Sequence, residues 1–67
     1  MATGVVTEFD EAKGYGTIVA DTGSSHFVHC TALADGSRIV DAGTPVRFVV
    51  RAGRRGQWEA AEVEKLN

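Results

Sequence analysis

The chain has 67 residues, seven basic and nine acidic, a net charge of −2 at neutral pH and a single cysteine, Cys30. A chain of about 60 residues buries only roughly 60% of its unfolded surface, so one compact domain over residues 1–67 is all the length supports. The lone cysteine excludes an internal disulfide and suits a reducing cytoplasm, no apolar run approaches the roughly 18 residues of a membrane span, nothing near Met1 resembles a secretion signal, and the charge balance supplies no overall attraction to phosphate.

Apolar residues come in short runs separated by turn chemistry. The first, "GVVTEF" (4–9), carries two core candidates, Val6 and Phe9. Three residues apart, they face opposite sides of an ideal strand. Either a bulge near Thr7 or Glu8 turns both inward, or Phe9 lies beyond the strand and plugs a barrel end. "YGTIVA" (15–20) is the second strand, with Gly16 and Ile18 inward and Tyr15, Thr17 and Val19 outward. "HFVHC" (26–30) is the third, with Val28 inward and Phe27 and His29 outward. The longer "TALADGSRIVDAGTP" reads as connecting turns. In "VRFVVR" (46–51), Val46, Phe48 and Val50 alternate with Arg47, Val49 and Arg51, the pattern of a half-buried strand. "WEAAEVEKL" (58–66) also suits a helix by composition, but Ala61 and Val63 against Glu62 and Glu64 fit period 2, and it is predicted as the fifth strand. Five short strands with regular turn signals predict an all-β fold, a small five-stranded antiparallel barrel, whose closure removes exposed edges.

"KGYG" (13–16) is an odd way to open a strand, since a cation and two glycines contribute little to packing. With the phases above, Tyr15, Phe27 and His29 present three rings on neighbouring strands beside Lys13. Rings on a sheet surface next to a cation form a stacking platform for unpaired bases. Gly14 and Gly16 then read as clearing space for a base to lie flat. The plainer alternative is that Tyr15 and Phe27 only pack on each other across strands. In "RAGRRGQW" (51–58), Arg51, Arg54 and Arg55 either track a phosphate backbone or keep a turn solvated. Alternation from Val63 and Ala61 puts Trp58 outward, as a further platform ring or as a cap on the barrel's end.

On these residues the chain resembles the bacterial cold-shock proteins, whose pattern is roughly G-x-V-K-W-F-N-x-x-K-G-F/Y-G-F-I followed by V-F-V-H-F-S-A-I. Val6, Phe9, Lys13-Gly14-Tyr15-Gly16, Ile18, Phe27-Val28-His29 and Ala32 fall on it, as do Gly43, Val46, Phe48, Ala60-Ala61 and Val63. The resemblance spans essentially the whole chain. It implies an OB-fold barrel whose second and third strands bind single-stranded RNA or DNA. The departures concentrate on the binding surface. Thr7-Glu8 stands in place of Lys-Trp, and Thr17, Cys30 and Ser37 each replace an aromatic. At about 1–3 kcal/mol per stacked base, two such losses weaken binding on the order of 10²-fold. His26 replaces a core valine, so it is expected to be partly solvated or hydrogen-bonded.

Other chemistry is poorly supported. His26 and His29 point to opposite faces of a strand, and a fourth zinc ligand is missing. "GYG" lacks the third glycine and the βαβ setting of a dinucleotide fingerprint. Cys30 and His29, as strand neighbours, diverge, and no orienting acid accompanies them. The sequence therefore predicts a non-enzyme without cofactor or metal: a cytoplasmic single-stranded RNA- or DNA-binding protein of cold-shock type, an RNA chaperone or a regulator of transcription or translation. Its expected site residues are Lys13, Tyr15, Phe27, His29, Arg54, Arg55 and Trp58. Neither a membrane nor a small-molecule substrate is expected as partner, and the chain is expected to be a monomer, with a dimer as the alternative. A second reading makes it a protein-interaction or structural variant of the same fold, meeting another protein through its acidic, ring-depleted face.

Overall fold

The computed structural model describes residues 2–36, 39–53 and 58–66. Arg54, Arg55 and Ser37, singled out above, lie outside the described residues. The strands are β1 (Ala2–Asp10), β2 (Tyr15–Ala20), β3 (Ser25–His29), β4 (Pro45–Ala52) and β5 (Trp58–Lys65), with a single 3₁₀ turn at Cys30–Ala32. They close into a barrel in the order β1-β2-β3-β5-β4. Four seams are antiparallel, and the short closing seam, Phe27↔Glu59 and Val28↔Ala60, runs parallel.

Val6, Ile18, Val28, Val46, Phe48 and Val63 are fully buried, one or two from each strand, and form the centre of the core. β-Branched residues suit this role because they pack well on a pleated surface. Pro45 sits at the first residue of β4, where the missing N–H does least harm to the ladder. Leu33 and Val40, from the long connection between β3 and β4, also enter the core. Leu33 is held there by a parallel bridge to Val63 and by the Ala34 amide donating to the Val63 carbonyl at 2.8 Å. That connection is therefore more than turn material.

Two bulges set the side-chain phases. In β1, Val6 pairs with Ile18 and Glu8 with Thr17, so Thr7 is an extra residue. Thr7 and Glu8 both face solvent, and Phe9 turns back to pack against the core. The bulge, and not an end plug, is what reconciles Val6 with Phe9. In β5, Arg47 pairs with Glu64 and Val49 with Ala61, which leaves Glu62 and Val63 both opposite Phe48. Glu62 adopts φ 50°, the left-handed conformation that lets a bulge turn. Ala60 and Val63, three apart, are consequently the buried pair, while Ala61 is half-buried. The period-2 phase expected from Ala61 and Val63 is thus broken at Glu62. Val50 departs from expectation too. β4 pairs with β1 only over Pro45–Phe48, so past that point one edge of β4 is open, it pairs with β5 alone, and Val50 is exposed.

His26 bears out the expected partial solvation, with 9% of its surface exposed in the lining of a surface recess, but not at every atom. It is buried, tilted against the Phe48 ring at a centroid distance of 5.5 Å, and its Nδ1 has no hydrogen-bond partner. It is neither solvated nor hydrogen-bonded at that atom. An unsatisfied buried polar group costs about 1–3 kcal/mol, so His26→Val is expected to stabilise the fold by about 1 kcal/mol or more in urea unfolding. A loss of stability instead would mean that the ring contact with Phe48 outweighs the orphaned nitrogen.

Candidate nucleic-acid interface

The outward residues of β2 and β3 build one face. Direct cross-strand pairs are Tyr15 with His29 and Thr17 with Phe27. The diagonal pair, Tyr15 and Phe27, has ring centroids 5.3 Å apart at 35°. The rings thus pack on each other, as the plainer alternative has it, while Tyr15 still presents 38% of its surface to solvent.

The "KGYG" turn positions this face. The Lys13 amide donates to Asp10 Oδ1 at 3.1 Å and the Gly14 amide to the Asp10 carbonyl at 2.8 Å. Gly14 takes φ +76°, and its carbonyl accepts from the Cys30 amide, tying the β1–β2 turn to the end of β3. Gly16 faces inward, where a β-carbon would fall 2.2 Å from the Glu8 carbonyl oxygen. The two glycines therefore serve the turn and the β1–β2 approach, and not the clearance of a base as the sequence suggested.

His29 is exposed, and the Thr31 amide donates to its Nδ1 at 3.3 Å, capping the 3₁₀ turn. That bond assigns the neutral ring's proton to Nε2. Cys30 leaves the strand for the turn, which brings its Sγ within 3.8 Å of His29 Nδ1. The expected divergence of these two side chains is corrected by that change of backbone.

Charge is distributed unevenly. Arg47 pairs with Glu64 at 2.7 Å, Arg51 with Glu62 at 2.8 Å and Lys65 with Asp35 at 3.2 Å. Among the described residues, Lys13 is the one cation outside an ion pair, and it stands on the ring-bearing face. Arg51, one of the three arginines for which the sequence offers phosphate tracking or a solvated turn, is engaged by Glu62 through an exposed pair of small energetic weight. Lys13 shares a recess of about 620 Å³ with Phe9, Tyr15 and Phe27, but Glu8, Asp10 and Glu11 line it as well. Thr17 Oγ1 donates to Glu8 Oε1 at 3.3 Å, so the two positions where rings were missed are hydrogen-bonded to each other.

Trp58 is 61% exposed, which does not fit a cap on the core. Its exposure has a different cause from the one expected. Ala60 is inward, so alternation would put Trp58 on the inner side. It escapes burial because it opens β5 one residue before the seam with β3 begins at Glu59, opposite Ala52 at the end of β4.

A closed five-stranded barrel with rings on β2 and β3 is the architecture that the sequence resemblance implied. The family model for the 'Cold-shock' DNA-binding domain matches residues 2–66. The chain belongs to the cold-shock domain family. This cold-shock domain is 42% identical to cold shock protein CspB of Bacillus caldolyticus, over 98% of this chain and 100% of that protein. It is 41% identical to cold shock protein CspC of Bacillus subtilis, over 97% of this chain and 98% of the relative. Among solved structures, the cold-shock domains of Drosophila Unr (CSD456) superpose with a TM-score of 0.80 at 22% identity, covering 98% of this chain and 26% of that longer one. The barrel is thus an OB-fold, and membership carries the function: single-stranded nucleic-acid binding of the cold-shock type. Sequence reasoning missed the hydrogen bond between Thr17 and Glu8, which the register across the β1 bulge creates and no periodicity reveals.

Proposed function

We propose that this cold-shock domain binds unpaired RNA or DNA across the outer face of β2 and β3, with Tyr15, Phe27 and His29 stacking on bases and Lys13 meeting phosphate. The observation that carries this reading is the exposed, mutually packed Tyr15–Phe27 pair beside the one described cation outside an ion pair. Trp58 adds a ring from β5, and Arg54 and Arg55 supply further positive charge next to it in sequence. The chain acts as a monomeric cytoplasmic RNA chaperone or regulator, a single domain over 1–67, with no catalytic role and no small-molecule substrate. In the described residues no helix is long and apolar enough to cross a membrane.

Two or three cations near phosphate set a shallow salt dependence. For single strands the slope of log affinity against log salt is about −0.7 per neutralised phosphate, so about −1.5 to −2 is expected. Titrating a labelled pyrimidine-rich strand at several salt concentrations measures it. A slope near −5 would mean a far larger basic surface. No binding at low salt would transfer the fold to the protein-interaction reading, which the carboxylates of the Lys13 recess favour.

A further inference from the structure

Trp58 and Phe27 line a second recess, of about 420 Å³, together with Thr17, Ser25 and the buried His26. Resting on the reading above, we propose that this recess is a slot for one unpaired base, held between the Phe27 and Trp58 rings.

The lining separates this recess from the one beside Lys13. It contains no carboxylate, whereas the Lys13 recess is walled by Glu8, Asp10 and Glu11. Glu59, next to Trp58, is turned away: its side chain lies over Gly53, where a β-carbon would fall 2.3 Å from the carboxyl carbon. Among the described residues no cation lines the slot, and its two rings suit the flat face of a base. Its polar groups are two hydroxyls. Ser25 Oγ has no hydrogen-bond partner among the described residues and is free to donate or accept. Thr17 Oγ1 spends its proton on Glu8 and so offers lone pairs to a base N–H. Two rings with a few convergent polar groups in a recess of this size make a base-binding site. The largest exposed apolar side chain of the described residues then has a ligand to cover it.

Trp58 is the only tryptophan, so its emission reports the slot alone. The probe is a short end-labelled oligothymidine, with a single abasic position moved along the strand. Label anisotropy follows binding and Trp58 emission follows occupancy. Emission is expected to quench as the strand binds, and one abasic position restores it while anisotropy still reports a complex. Trp58→Ala is expected to weaken binding on the order of tenfold, Trp58→Phe to recover most of that, and the cost of the special abasic position to vanish in Trp58→Ala. Binding by anisotropy with constant Trp58 emission, and equal costs for every abasic position in both proteins, would overturn the slot and leave the wider reading standing. Absence of binding by anisotropy would remove both. The abasic scan read on the wild-type protein decides the matter even where Trp58→Ala fails to fold.

Discussion

Gly16→Ala is expected to cost about 3 kcal/mol or more of stability, the upper end of what overpacking does. The methyl carbon would sit 2.2 Å from the Glu8 carbonyl oxygen and 2.7 Å from the Phe9 Cα. Both obstacles are backbone on the facing strand, so no side-chain rotation relieves the contact and β1 has to move off β2. A 67-residue chain, at the usual ~0.05–0.15 kcal/mol per residue, holds only about 3–10 kcal/mol in all. The variant should therefore lose about a third or more of its stability, and all of it at the lower end of that range. Gly23→Ala is the control, since its φ is +94° and a β-carbon meets nothing within 4 Å. Only the left-handed backbone is penalised there, by roughly 1–2 kcal/mol. Urea unfolding of the two variants compares them directly, and equal losses would mean that β1 and β2 are not as close at Gly16 as described.

The second large effect is a gain of binding. Replacing Glu8 by Trp and Thr17 by Phe in one variant is expected to tighten single-strand affinity on the order of 10²-fold, at about 1–3 kcal/mol per added stack. Glu8 is exposed and Thr17 half-buried on the outer face, and the two are joined by the 3.3 Å bond between their side chains. Changing both together leaves no orphaned partner, so stability should shift little. Loss of the Glu8 carboxylate also removes a repulsion of phosphate from the Lys13 recess. Affinity is read by anisotropy and stability by urea unfolding of the same samples. Unchanged affinity with stability lowered by several kcal/mol would mean that these side chains are inward.

Much of the barrel is legible in the residues because strand alternation is a local property. Gly16 and Ile18 against Tyr15 and Thr17, and Val28 against Phe27 and His29, fix the faces of β2 and β3 without knowledge of their partners. The β1 bulge is legible as one of two alternatives: Val6 and Phe9 cannot both be core on an ideal strand, and the pairing register, with its extra residue at Thr7, decides for the bulge over an end plug. β5 resists the same treatment. Its bulge at Glu62 is made by a glutamate at φ 50°, a conformation that composition does not announce. The phase inferred from Ala61 therefore fails, and Trp58 is exposed through its place at the start of β5 and not through alternation. His26 could not be assigned from sequence because its environment depends on Phe48, 22 positions away in the chain and brought near only by closure. The glycines of "KGYG" suggest clearance for a ligand by composition, but the groups they accommodate are Cys30 and the β1 backbone. Of the expected interface, Lys13, Tyr15, Phe27 and His29 share a face, and Trp58 meets it through the Phe27 recess.

Amide and side-chain chemical-shift mapping with a short pyrimidine-rich single strand at low salt tests the central claim, that unpaired bases lie on the outer face of β2 and β3. The expected result is a contiguous set of shifts at Lys13, Tyr15, Thr17, Phe27, His29 and the Trp58 indole, with Thr3, Arg47 and Glu64 on the β1–β4–β5 side unmoved. Shifts centred on Thr3, Arg47 and Glu64, with the Tyr15 and Phe27 rings unaffected at saturating strand, would contradict it.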